Sequence, residues 1–106
     1  MSSGDTEFEI YVPLSDNQGV KFPNQLLAAY KSELVEMFSG LSDLKYKGEG
    51  IWKIHGVEYN DEIVLWRVYG SDPQSDPIFM KDLKKRMLKD FRQKDILIVK
   101  RQVEFI

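Results

Sequence analysis

Few residues of this chain could perform chemistry on their own. The sequence contains one histidine, His55, and no cysteine. This excludes a cysteine nucleophile, a thiolate metal site and any mechanism that needs two histidines. Glu58 and Asp61 follow His55 closely in sequence, so His55 is a weak candidate for a general base. An ordinary surface histidine beside a turn is the alternative.

Motifs that bind cofactors or activate a nucleophile do not occur. No serine stands in a Gly-x-Ser-x-Gly context, and Gly48-Glu49-Gly50 lacks the rest of a phosphate-binding or dinucleotide-binding loop. No pair of residues has the spacing of a zinc site. We therefore expect no cofactor and no metal, and we favour a protein that is not an enzyme.

Charge is distributed unevenly along the chain, although the net charge is only −2. Residues 76–101 carry nine Lys or Arg against four Asp, whereas residues 1–75 carry six basic residues against twelve acidic ones. A basic helix can contact phosphates, and nucleic acid is therefore a weaker functional alternative. The residues that would contact it are Lys81, Lys84, Lys85 and Lys89.

The order of predicted elements indicates the fold class. With 106 residues the chain is expected to form a single domain over 1–106. Apolar residues alternate over 7–14 and 50–55, occupy both faces over 62–69, and predict a fourth strand over 96–99. They recur at helical spacing after Pro23 and after Asp76-Pro77. Residues 41–49 are predicted to form a polar loop, and Gly40 to end the first helix in a left-handed conformation.

This strand–helix–strand–strand–helix–strand order predicts an α+β fold, a ferredoxin-like βαββαβ sandwich. A four-stranded antiparallel sheet would carry two helices on one face, with the first and third strands in the centre. A turn at 56–61 and a bulge near Lys100-Arg101 are also expected.

The face without helices is the predicted binding surface. We place Phe8, Ile10, Val12, Trp52, Ile54, Val64, Trp66, Val68, Leu97 and Val99 on the helix-covered face. The open face would present seven apolar residues, more than a monomer ordinarily exposes. Its predicted binding residues are Tyr11, Ile63, Leu65, Arg67, Tyr69, Ile96 and Ile98, together with the apolar Ile51.

This surplus predicts a homodimer, or binding of a protein partner, through the open face. The leading functional hypothesis is therefore a self-associating or protein-binding module that is not an enzyme. Loops or the C-terminal tail could instead cover the face, or the register of one strand could be wrong by one residue.

The layout resembles small uncharacterised prokaryotic proteins with a ferredoxin-like, dimeric α+β fold. The residues that carry the resemblance are Gly50-Ile51-Trp52, the turn at 56–61 and the run over 63–69. The resemblance implies pairing through the open sheet, as in dimeric α+β barrel proteins that include some small monooxygenases. It supports an alternative function, a barrel enzyme or small-ligand binder with His55, Tyr11, Tyr69 and Arg67 lining the pocket.

The N-terminal residues show no signal-peptide pattern, and no apolar run reaches the length of a membrane span. We expect a cytoplasmic protein without membrane contact. Residues 1–6 are small and polar and are expected to be disordered.

Overall fold

A computed structural model describes residues 5–47, 52–54, 57–59 and 62–106 of the chain. Its elements are β1 (Asp5–Pro13), α1 (Asn24–Phe38), β2 (Ser42–Lys47), β3 (Trp52–Ile54), β4 (Val57–Tyr59), β5 (Glu62–Gly70), α2 (Ser75–Asp90) and β6 (Ile98–Val103). Within these ranges, neither helix has the length and apolar character needed to cross a membrane.

The predicted fold class is confirmed. Four antiparallel strands form one sheet in the order β2-β5-β1-β6, so the two central strands are β1 and β5. Side chains of both helices pack against the same face of this sheet. The main sheet and its helices therefore have the βαββαβ ferredoxin-like topology.

The second strand of the sheet is not the predicted one. β2 lies in the segment that was expected to be a polar loop, and it pairs with β5 at the edge of the sheet. β3, from the segment expected to fill this place, instead pairs with β4 in a separate two-stranded hairpin, with Trp52 opposite Tyr59. An edge strand tolerates lysines such as Lys45 because one side faces solvent. Because of this polar composition, the sequence predicted a loop instead of a strand.

The core lies between the covered face and the helices. Phe8, Ile10 and Val12 of β1 stand opposite apolar residues of β5 and are buried. The predicted apolar stripes of the helices also pack here, with Met37 as an exposed exception. The buried partners are Tyr30, Leu34, Val64, Trp66, Val68, Met80, Leu83, Met87 and Phe91.

The register predicted for the last strand is wrong by one residue. Ile96 is fully buried in the core and Ile98 packs against it, although both were placed on the open face. Leu97 instead packs with Ile63, and Val99 stands opposite Glu9. The run Ile96-Leu97-Ile98-Val99 is apolar at every position, so alternation cannot assign its faces.

The ends of the elements also differ in detail from the prediction. Pairing of β1 with β6 continues without interruption through Lys100 and Arg101, so the expected bulge is absent. Ser39 and not Gly40 has the left-handed conformation after α1, with φ of 64°. β1 begins at Asp5, inside the segment expected to be disordered.

Candidate functional site

The open face of the sheet is divided into an apolar half and a charged half. In the apolar half, Ile63 is only 2% exposed and contacts Tyr11 and Leu97. Leu65 stands between Tyr11 on β1 and Leu44 on β2. These residues form a row across the sheet, which we call the apolar row: Leu44, Leu65, Tyr11 and Leu97.

The charged half is a hydrogen-bonded network across β5, β1 and β6. Arg67 donates to Glu9 Oε2 from Nε at 3.1 Å and from Nη2 at 2.7 Å. Arg101 Nη1 donates to Glu9 Oε1 at 2.5 Å and to Glu7 Oε2 at 2.6 Å. The Tyr69 hydroxyl donates to Glu7 Oε1 at 3.3 Å. The charges of two arginines therefore neutralise those of two glutamates. The network also links the edge strand β6 to the central strand β1 through charge-assisted hydrogen bonds.

Glu9 is the centre of this network and is buried although it points away from the helices. Burial by itself would raise the pKa of Glu9, but the hydrogen bonds and charges of Arg101 and Arg67 bring it below its ordinary value. In turn, the hydrogen bond from Arg67 to Glu9 raises the pKa of Arg67. A carboxylate held ionised in this way is a poor general base at neutral pH. The network is therefore suited to fixing strands and not to moving protons.

Tyr69 joins the network to a second region. Its ring makes an edge-to-face contact with Phe105 of the C-terminal tail, with 5.1 Å between ring centroids. The C-terminal tail therefore covers part of the open face. Tyr69 also lines a cavity at the end of β5.

This cavity has a volume of about 310 Å³ and lies where α1 and β5 end and α2 begins. Its apolar wall is formed by Met37 and Phe38, and its polar wall by serines and two aspartates. The lining residues are Met37, Phe38, Ser39, Tyr69, Gly70, Ser71, Asp72, Ser75 and Asp76.

Gly70 makes this arrangement of the cavity wall possible. A Cβ atom at position 70 would overlap Asp76 Oδ2 and would lie 3.0 Å from the ring of Phe38. Only glycine therefore allows the carboxylate of Asp76 to approach the end of β5 so closely. Asp76 is buried, and its Oδ2 accepts a hydrogen bond of 3.0 Å from the backbone N–H of Asp72.

The cavity is anionic. Asp72 Oδ1 accepts the backbone N–H groups of Ser75 and Gln74, each at 3.0 Å, and these bonds lower the pKa of Asp72. They also occupy two of the N–H groups at the start of α2 that would otherwise attract an anion. Among the residues that the structure describes, no Lys or Arg lines the cavity. It therefore suits a cationic or hydroxyl-rich ligand with an apolar part and disfavours a phosphate.

The predicted site residues are only partly brought together. Tyr11, Ile63, Leu65, Arg67 and Tyr69 lie on the open face, but their role in binding stays a prediction. Ile96 and Ile98 lie on the covered face. His55 and Ile51 fall outside the described residues, so the structure does not test them.

The cavity residues other than Tyr69 were missed. In the sequence, residues 70–75 have the composition of a turn-rich linker, and Asp76-Pro77 has the pattern of a helix start. Met37 and Phe38 matched a core stripe. One signal in the sequence was the clustering of carboxylates and serines directly beside a helix start. Among the described residues no group of three or more His, Asp or Glu could hold a metal ion.

Comparisons with known proteins show similarity at the level of structure. No family model matches the chain, and no curated protein matches it significantly. A solved phage SAM lyase in complex with S-methyl-5'-thioadenosine superimposes with a TM-score of 0.65 at 14% sequence identity, covering 96% of this chain and 84% of that chain. A phage SAM lyase in the apo state gives a TM-score of 0.61 at 10% identity, over 95% and 81% of the two chains. At this identity the likeness shows a shared fold.

Proposed function

We propose that this chain is a small enzyme that binds S-adenosylmethionine (SAM), or a closely related sulfonium nucleoside, and releases S-methyl-5'-thioadenosine. The observation that carries the proposal is the likeness to the phage SAM lyase over 96% of this chain and 84% of the lyase. Because the match extends over nearly the whole of both chains, it concerns the complete arrangement of sheet and helices. A similar fold alone does not define an activity, so the chemistry of the cavity must also suit the substrate.

The chemistry of the cavity suits such a substrate. An adenine ring can pack against the exposed side chain of Met37, since thioethers form favourable contacts with flat rings. Asp72 and Asp76 can accept hydrogen bonds from ribose hydroxyls and from the α-ammonium group. A nucleotide phosphate would meet like charge in the same place.

The assignment of the carboxylates to the ammonium group follows from the reaction. Release of S-methyl-5'-thioadenosine breaks the bond between sulfur and the γ carbon of the amino-acid part, and the electron pair stays on sulfur. The positive charge on sulfur is thereby lost, so a carboxylate beside it would stabilise the substrate more than the transition state. The ammonium charge does not change, and a carboxylate that binds it stabilises both equally.

The γ carbon needs an electron pair to replace the one that leaves with sulfur. The α-carboxylate of the same substrate can provide it by closing a five-membered lactone, which needs no base from the protein. Elimination would need a base to take a proton, but hydrogen bonds lower the pKa of Asp72 and so weaken it in this role. We therefore assign to the chain the binding, orientation and desolvation of the substrate.

The test is release of S-methyl-5'-thioadenosine from SAM by the purified chain, measured by liquid chromatography and mass spectrometry. The lactone should appear in equal amount, at a rate above that of SAM in buffer alone. Asp72→Asn keeps an oxygen that can cap α2 but removes the charge, and we expect it to raise KM about tenfold through loss of a charge-assisted hydrogen bond. Asp43→Asn, which removes the exposed partner of Lys31, is the matched control. A folded wild-type chain without turnover above the buffer rate would refute the proposal.

A homodimer through the open face is the second candidate. The observation that favours it is the apolar row, in which Leu44 is 38% exposed at the edge of the sheet. The two candidates are compatible, since the row lies apart from the residues that line the cavity. The molar mass of the chain in solution tests this candidate.

A further inference from the structure

We propose that the outer face of α2 binds the phosphate backbone of a nucleic-acid duplex through Lys81, Lys85 and Lys89, which we call the lysine row. The three residues follow one another at intervals of four and are all exposed. With a rise of 1.5 Å per residue, the row spans about 12 Å along the helix axis and turns gradually around the helix. It lies on the side of α2 opposite the buried Met80, Leu83 and Met87.

The fold separates the basic residues of α2 into two groups. Lys84 pairs with Asp95 at 2.8 Å, and Arg86 pairs with Glu33 at 2.5 Å and with Asp82 at 2.9 Å. These charges are neutralised within the chain. In the described part of the chain, no carboxylate forms a salt bridge with a lysine of the row.

The acidic residues of α2 form their hydrogen bonds with groups other than the lysines of the row. Asp76 is buried at the start of the helix, and Asp82 accepts a hydrogen bond from Arg86. Asp90 accepts a hydrogen bond of 2.5 Å from the Tyr30 hydroxyl. Asp82 is the acidic residue of α2 nearest to the row, three positions before Lys85, and it offsets only part of the charge of the three lysines. The row therefore keeps a local positive potential on a chain whose net charge is −2.

The chemistry of the row favours phosphates over other anionic partners. Lysine is a compact point charge on a flexible stem, which suits phosphate oxygens, and it lacks the rigid fork with which arginine makes bidentate contacts. The apolar stripe of α2 is buried in the core, and Ile78 alone among the large apolar residues of this helix is exposed. One such residue does not form an apolar face that could insert into a lipid surface. We therefore infer contact with the duplex backbone that does not depend on sequence.

The strength and salt dependence of binding follow from the number of lysines. Three phosphate contacts predict a slope of about −2.7 for the logarithm of the association constant against the logarithm of salt concentration. Affinity should thus fall about 40-fold when salt rises from about 50 mM to about 200 mM.

Fluorescence anisotropy of a labelled DNA duplex of mixed sequence tests the proposal. We expect a variant with all three lysines of the row changed to Gln to bind at least about tenfold more weakly than the wild-type chain. A matched control removes the same charge from exposed lysines elsewhere: Lys21→Gln, Lys45→Gln and Lys100→Gln. The control should keep most of the affinity, and its circular dichroism spectrum and that of the row variant should match the wild type.

Three results would overturn the proposal. They are absence of wild-type binding at low salt, an equal loss in the row variant and the control, and binding to anionic vesicles without binding to the duplex. Release of S-methyl-5'-thioadenosine from SAM is a separate measurement, because no lysine of the row lines the cavity. The lysine row and the proposed activity can therefore fail independently.

Discussion

The two faces of β1 are stabilised in different ways, although they belong to the same nine residues. On the covered face, Phe8, Ile10 and Val12 are buried among apolar side chains of β5 and the helices. On the open face, Glu7 and Glu9 are bound by two arginines of neighbouring strands. The stability of the covered face depends on the apolar area removed from water. The stability of the open face depends on each charged residue keeping its oppositely charged partner.

Because of this difference, the two faces should respond differently to substitution and to pH. A core of many apolar contacts loses stability in proportion to the volume removed. A network of charges loses more than one contact at a time, because each deletion leaves its partners without a counter-charge. Of the two faces of β1, only the open one carries carboxylates, so the acid sensitivity of this strand should come from that face.

The largest effect on stability is expected from one of two adjacent residues that precede β6. Ile96→Ala should lower the free energy of unfolding by about 3 kcal/mol, because a fully buried side chain leaves a cavity. Leu97→Ala, on the open face and partly buried, should cost only about 1 kcal/mol. Urea denaturation monitored by circular dichroism measures both. Equal costs, or a larger cost for Leu97, would contradict the register of this segment.

The sequence predicted most of the fold because the central elements have clear periodicity. β1 and β5 alternate or are apolar throughout, and both helices have stripes that match the core. It failed for β2 because the position of that strand at an edge permits a polar composition. It failed for the face assignment at 96–99 because four consecutive apolar residues have no alternation.

The candidate site was less predictable, because it depends on residues far apart in the chain. The ends of α1 and β5 meet at the cavity only once the strands have paired. The close approach of Asp76 to Gly70 in the cavity wall corresponds to no sequence motif. Likewise, the pairing of Arg101 with Glu7 and Glu9 follows from the register of β6, which the sequence left ambiguous.

A smaller effect is expected from Glu9→Gln, which breaks the charged half of the open face. The change keeps the size of the side chain but removes the charge that Arg67 and Arg101 share. We expect a loss of about 2 kcal/mol at neutral pH, below the cost of a fully buried pair because both arginines reach solvent. Glu36→Gln, at an exposed position of α1, is the control and should change stability by less than about 0.5 kcal/mol.

The same variant gives a pH test. Because the folded chain holds the pKa of Glu9 below its ordinary value of 4.5, the unfolded chain binds the proton first as pH falls. The contribution of Glu9 is therefore complete above the ordinary value and is lost as pH falls through the folded pKa. We expect the stability of the wild type to decline more steeply than that of Glu9→Gln in this range. Parallel pH profiles of unfolding would show that the network does not stabilise ionised Glu9.

The smallest effect on stability should come from Leu44→Asp, which instead tests whether the apolar row binds a second copy. Leu44 lies on the edge strand and is 38% exposed, so the folded monomer should lose only about 0.5 kcal/mol. If the row is an interface, light scattering at about 100 μM should give twice the chain mass of 12.4 kDa for the wild type and the single chain mass for Leu44→Asp. Val20→Asp, at an exposed apolar residue outside the row, should keep the wild-type mass. A wild-type chain that is monomeric at this concentration would mean that the packing of Tyr11 and Leu97 on Ile63 already satisfies the apolar half of the open face within one chain.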